Sequence, residues 1–191
     1  YGILHMTGIF PALSPSCRQA AFRLIERAKT SGVRISFDPN LRPQLWESEP
    51  RMRNDLNALA EKADWILPGI REGKILTGFS EPEKIARYYL NKGAQAVIIK
   101  IGKDGANAAT TETAFHCPSY QEDCIVDTVG AGDGFAAGII SAFNEGLPLY
   151  EAVLRGNAIG TIQIQNPGDN DGLPTRKELE SFMRTHSLRA L

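Results

Sequence analysis

Apolar positions along this chain change period repeatedly. Residues 2–6 form a short apolar run of strand length. After 14-SPS-16, which can supply an N-cap, Ala21, Phe22, Leu24, Ile25 and Ala28 recur at helical spacing, and Ser31-Gly32 closes that helix near Lys29. A strand is predicted over 33–40, a helix over 51–62, a short strand over 64–68 and a short helix over 71–78. Pro82 opens another helix, 82–93. The run 95-QAVIIKIG-102 is almost continuously apolar, as in a strand covered on both faces. A hairpin is predicted over 106–110 and 113–117 with Thr111-Glu112 at its turn, then helices over 131–145, 149–165 and 174–185. No internal repeat, low-complexity tract or linker interrupts the series.

Strands alternating with helices imply an α/β fold with a mostly parallel sheet. Ligands of such folds bind at the carboxyl ends of the strands. That rule selects four places: Asp38–Arg42, Pro68–Glu72, Gly102–Gly105 and the Gly130 loop. These are also the polar, glycine-bearing or proline-bearing spots.

Composition narrows the classes. The chain has 191 residues and a formal net charge of −1, so charge gives no reason to expect nucleic acid or a membrane surface as partner. The longest smooth apolar run, 134-GFAAGIISAF-143, is too short to span a bilayer and is expected to be a buried helix. Cys17, Cys117 and Cys124 form no CxxC pair; reduced thiols and a cytoplasmic location are expected. His5, His116 and His186 lack ligand spacing and are expected to be structural or solvated, and Arg51, Arg53 and Asp55 to form a solvated helix face. No signal peptide is apparent. The first residue is Tyr1, and 1-YGILHMTGIF-10 has the look of a strand already under way, so the chain is expected to be part of a longer protein.

The most informative stretch is 126-VDTVGAGDGFAAGIISAF-143. Glycines at a helix start let backbone N–H groups converge, and the helix dipole adds to the attraction for an anion. An acid at the same place, Asp133, is either a first-turn charge or a proton acceptor beside a bound phosphate. Phosphoryl transfer needs that second pairing: donors for the spreading negative charge, and a positioned base. The loop is neither a Walker A sequence nor a GxGxxG dinucleotide fingerprint, which argues against a dinucleotide-dependent oxidoreductase.

The string 127-DTVGAGDGFAAG-138 resembles the second signature of the ribokinase-like (PfkB) carbohydrate kinases. The resemblance implies a three-layer α/β/α fold, an anion hole of Gly130, Ala131 and Gly132, and Asp133 as catalytic base. The segment 100-KIGKDG-105 is similar to the stretch that lies along the nucleotide, implying Lys100, Gly102, Lys103 and Gly105 as nucleotide contacts. The segment 36-SFDPNLRPQLW-46 resembles the 2-keto-3-deoxygluconate kinase branch: Arg42 is expected to pair with the substrate carboxylate, and Asn40 to lie near the nucleotide. A planar guanidinium suits a two-pronged carboxylate contact. The tail 155-RGNAIGTIQIQNPGDNDGLPTRKELESF-182 extends the likeness, with Asp169 expected at the substrate and Asn157 near adenine. Many members carry Asn-x-x-Glu where this chain has 69-GIRE-72; Glu72 keeps the acid expected to act on Mg²⁺ through water, and Gly69 replaces the Asn.

The implied activity is ATP- and Mg²⁺-dependent phosphorylation of 2-keto-3-deoxygluconate, the need for a monovalent cation being left open by the sequence. A fructokinase-like activity and a nucleotide-binding fragment without turnover are the alternatives. The likeness runs from about His5 to Met183, and residues 1–191 are expected to form a C-terminal portion of one kinase domain. The N-terminal sugar-binding segment and the β lid, through which members form homo-oligomers, are expected to be missing.

Overall fold

A computed structural model describes residues 2–122 and 124–190. Two compact units are distinguished: Tyr1–Lys100 with Asn107–Phe115, and Ile101–Ala106 with His116–Leu191.

The first unit opens with β1 (Ile3–Thr7), α1 (Ile9–Ala12) and α2 (Pro15–Thr30). Ser14 caps α2 by accepting the Cys17 N–H on its hydroxyl, and Pro15 occupies the first turn, where its missing N–H costs nothing. Next come β2 (Arg34–Asp38), α3 (Glu49–Ala60), β3 (Trp65–Ile66), α4 (Ile70–Thr77), α5 (Pro82–Leu90) and β4 (Ala96–Lys100). A 3₁₀ turn, Pro43–Leu45, precedes α3. The hairpin strands are β5 (Ala106–Ala109) and β6 (Ala114–Cys117), closed where Thr110 N–H donates to the Thr113 carbonyl.

The six strands form one sheet in the order β1-β2-β3-β4-β5-β6. β1 to β4 are parallel, with Thr7 opposite Asp38, Phe37 opposite Ile66, and Ile66 opposite Val97. Side chains on both faces of β2 are buried, Ile35 and Phe37 on one and Ser36 and Asp38 on the other. The carboxyl ends of the strands are tied by further backbone bonds: Gly8 N–H to Asp38, Leu67 N–H to Phe37, and Lys100 N–H to Pro68. Those ends therefore form a fixed rim.

The second unit contains the helices α6 (Ala131–Asn144), α7 (Leu149–Gln163) and α8 (Arg176–Thr185). Helices α6 and α7 pack closely because small residues meet at their crossing. A Cβ on Gly138 would lie 2.7 Å from the Gly156 Cα. Helix α8 adds Phe182 to a cluster with Tyr120 and Ala158, flanked by Leu154, Ile162, Leu179 and Met183. Among the described residues no helix is long and apolar enough to cross a membrane.

The helix α1 and the two 3₁₀ turns lie outside what periodicity predicts. They are three or four residues long, shorter than one repeat of an apolar stripe. The three cysteines are free. Burial pushes the Cys117 thiol up to about 11, so it stays protonated near neutrality.

Candidate active site

In the first unit the rim gathers Asp38, Asn40, Arg42, Glu72 and Lys100. Asp38 ends β2 and is 2% exposed. One oxygen accepts the Asn40 N–H at 3.1 Å, and the other accepts from the Lys100 ammonium at 2.5 Å. A carboxylate this buried needs such a cation. Lys100, read in sequence as a nucleotide contact, thus has its charge engaged across the rim. Asn40 adopts φ +37°, a left-handed conformation that asparagine tolerates better than most residues.

Glu72 lies in the first turn of α4. Its Oε2 accepts the Gly69 N–H at 2.6 Å, and its Oε1 accepts the Leu41 N–H at 2.8 Å. The acid that sequence assigns to metal thus joins the head of α4 to the Asn40–Arg42 loop. Each oxygen accepts one backbone donor and keeps a lone pair, so a contact through water fits. Arg42 is exposed; its guanidinium donates only to the Leu41 carbonyl, at 3.0 Å, and forms no ion pair among the described residues. It is a cation available to an anionic ligand.

Four residues beyond Arg42 the chain is anchored again. Trp46 is buried and lies under the Arg18 guanidinium, 5.0 Å from its ring centroid. Arg18, itself buried, pairs at 3.3 Å with both Glu47 and Asp55, and Arg51 completes the group on Asp55 at 2.6 Å. The Arg51–Asp55 face, read from sequence as merely solvated, is therefore part of a brace. Sequence reasoning missed Arg18, although it lies three and seven residues before the buried Ala21 and Ile25, on their stripe of α2.

In the second unit the segment 101–105 makes a 3₁₀ turn, Gly102–Asp104, with the Gly105 carbonyl accepting from Ile101 N–H at 2.9 Å. Gly105 has φ +98°, and a Cβ there would sit 2.2 Å from the Cys117 carbonyl oxygen. Lys103 is exposed and Gly102 opens the turn. His116 Nε2 lies 2.8 Å from the Asp104 carbonyl. A carbonyl only accepts, so Nε2 carries the proton. His5 likewise bonds Ser36, and His186 stacks on Phe182, in keeping with structural roles.

Asn157, expected near adenine, is 5% exposed, and its amide donates to the Cys117 and Pro118 carbonyls, each at 3.1 Å. Its donors hold the chain that follows β6 rather than facing a ligand.

The glycine loop before α6 is built as sequence suggests. Asp127 accepts the Val129 N–H at 3.1 Å, turning the chain into Gly130. Gly130 caps α6 with φ +76°, and a Cβ there would lie 2.1 Å from the Asp169 carbonyl oxygen, so only glycine fits. The Asp169 side chain is exposed, and its loop is held by the buried Gln163, which donates to the Gly168 carbonyl at 2.9 Å. Ala131, Gly132 and Asp133 form the first turn, where amides have no intrahelical acceptor. The Asp133 carboxylate is exposed among them. First-turn amides, of which the Ala131 N–H reaches the Thr128 carbonyl at 3.4 Å, and a solvent-facing acid thus share one helix end. Among the described residues no three His, Cys, Asp or Glu side chains cluster as metal ligands.

The profile described as pfkB family carbohydrate kinase matches residues 1–176. A 2-dehydro-3-deoxygluconokinase of Bacillus subtilis (strain 168) is 51% identical over 182 residues, 95% of this chain and 56% of that protein. Among solved structures, a PfkB protein from Polaromonas sp. JS666 is similar with TM-score 0.84 and 44% identity, covering 94% of this chain and 56% of the other. A putative ribokinase II from E. coli in complex with ATP and Mg²⁺ gives TM-score 0.88 and 30% identity, over 96% and 59% of the two chains. The chain thus spans a little over half the length of the proteins it matches.

Proposed function

The chain belongs to the pfkB family of carbohydrate kinases, and from that membership we propose that it serves the ATP-dependent phosphorylation of a sugar acid, 2-keto-3-deoxygluconate. Its fold is the ribokinase-like α/β/α class with a mainly parallel sheet. The observation that carries the proposal is the exposed Asp133 in the first turn of α6, directly behind the left-handed Gly130.

Asp133 takes the proton as the sugar's primary hydroxyl oxygen bonds to the γ-phosphorus of ATP. The bond from that phosphorus to the bridging oxygen breaks, and ADP leaves, giving 2-keto-3-deoxy-6-phosphogluconate. The amides of Gly130, Ala131 and Gly132, with the dipole of α6, stabilise charge spreading over the transferred group. The segment Gly102, Lys103 and Gly105 offers backbone and an exposed ammonium to the nucleotide. Asn40 contributes from the first unit, while Lys100 acts through the Asp38 carboxylate that it holds and Asn157 through the backbone that it holds. Arg42 binds the substrate carboxylate, and Asp169 contacts its hydroxyls. Glu72 would hold Mg²⁺ through water, and the ion would supply positive charge against the phosphates of ATP. The name of the B. subtilis relative supports the substrate class, and the E. coli complex supports the nucleotide and metal. A cytoplasmic setting, where ATP is available, suits the three free thiols.

Asp133→Asn tests the assignment. ATP affinity is expected to stay within about twofold while phosphorylation of the keto acid falls ~10²–10⁴-fold, the usual contribution of a positioned base. Unchanged turnover would remove Asp133 from the role.

A further inference from the structure

Glu72 stands at a junction that the phosphoryl-transfer reading leaves unexplained. Its two carboxylate oxygens serve two different segments: Oε2 the Gly69 N–H at the head of α4, Oε1 the Leu41 N–H in the loop after β2. The residues joined by Oε1 are 31 positions apart, so local helix capping does not account for the bond. Beside Leu41 stand Asn40, held in its left-handed conformation by Asp38, and Arg42, whose guanidinium has no carboxylate partner among the described residues. Beyond them, Trp46 is pinned beneath Arg18. The loop is thus fastened before, at and after Leu41, while the one exposed cation within it remains available.

From this geometry we infer that Glu72 is a positioning residue for the Asn40–Arg42 loop, preorganising Arg42 for the carboxylate of the sugar acid by bonds that need no bound metal. The inference rests on the sugar-acid reading above. A hydrogen bond with a charged acceptor is the stronger kind, and a fixed guanidinium loses less freedom when the ligand arrives. The role differs from a metal contact in one decisive respect: it persists when divalent ions are absent.

The test is made in EDTA without nucleotide. Glu72→Ala removes both acceptors, and the isosteric Glu72→Gln keeps one acceptor oxygen and loses the charge. Amide exchange at Leu41, followed by NMR, is expected to speed up about tenfold or more in Glu72→Ala. Calorimetric titration with 2-keto-3-deoxygluconate is expected to show affinity about tenfold weaker, with Glu72→Gln in between. Unaltered affinity in either folded variant overturns the inference, whatever the exchange rates do, because a purely metal-directed Glu72 would be silent in EDTA. If Glu72→Ala fails to fold, Glu72→Gln decides by the same two readings. A parent protein that binds no keto acid, with Leu41 exchange accelerated in the variant, would defeat the sugar-acid reading while upholding the brace; unaccelerated exchange would defeat the brace itself.

Discussion

Arg42 is exposed, without an ion pair among the described residues, between two anchored neighbours, and that makes its substitution informative. A bidentate guanidinium–carboxylate contact is stronger than a neutral one, so Arg42→Gln is expected to raise KM for the keto acid ~10–100-fold. A neutral sugar such as fructose, lacking the carboxylate, should show no such change. Equal effects on both substrates, measured by steady-state kinetics, would reassign the substrate class. The placement of Arg42 in the loop after β2, and of Asp133 in the first turn of α6 behind Gly130, was legible in sequence because residue type and spacing within a dozen positions define it. Lys100 and Asn157 were read less well. Their polar atoms are engaged by Asp38, 62 positions away, and by the Cys117 and Pro118 carbonyls, 40 and 39 positions away, and no local spacing signals such bonds. Arg18 was missed for the same reason, since only the fold puts Trp46 beneath it.

At the scale of elements the crossing of α6 and α7 is a tight helix–helix packing in the second unit. A methyl on Gly138 would meet the Gly156 Cα at 2.7 Å and the Arg155 carbonyl oxygen at 2.9 Å, both backbone atoms that do not swing aside. Overpacking of this kind costs about 1–3 kcal/mol, against a gain of up to ~1 kcal/mol from replacing glycine within a helix. Gly138→Ala is therefore expected to lower stability by about 1–2 kcal/mol, read from the urea midpoint, although alanine is the better helix former. A stabilised variant would show that the helices can separate freely. The run 134–143 was legible as a buried helix because its composition leaves few other places for it; Gly134, Phe135, Ala136, Gly138, Ile139 and Ala142 are buried. Its glycines mark close approach, but their partner Gly156 was not identifiable without the fold. Strand and helix order was likewise legible, because β4 is an apolar run, β2 alternates Ile35 and Phe37 with polar residues, and α2, α3 and α5 carry periodic stripes.

At the scale of the whole chain, sequence showed no linker, and the two units explain why. The division falls at 100/101, 106/107 and 115/116, within or beside the strands β4, β5 and β6, where composition is that of a sheet and not of a connection. Charge, nearly balanced overall, is distributed unequally in its consequences. Among the described residues of the second unit three carboxylates lie below the usual range: Glu145, held down to about 2 by hydrogen bonds from Arg155 and Arg176; Glu122, where burial raises the value but the Arg189 bond, a backbone bond and the charges of Arg189 and Lys103 together lower it further; and Glu178, by the Thr175 cap. In the first unit the corresponding group is Glu81, lowered by Lys84. A depressed folded-state pKa contributes stability above the ordinary carboxylate range, and that contribution disappears as pH falls through the folded value. Acid should therefore loosen the second unit more than the first between pH 4.5 and about 2. Both tryptophans, Trp46 and Trp65, belong to the first unit, so their fluorescence reports on it alone. Amide exchange read by mass spectrometry along an acid titration is expected to lose protection in α6–α8 at higher pH than the tryptophan signal changes. Because Glu145 joins the end of α6 to Arg155 on α7 and Arg176 on α8, Glu145→Gln should destabilise α6–α8 at pH 6 yet narrow their acid-induced loss. Loss of both units at one pH, unaltered by Glu145→Gln, would show instead that acid acts through carboxylates common to the whole chain.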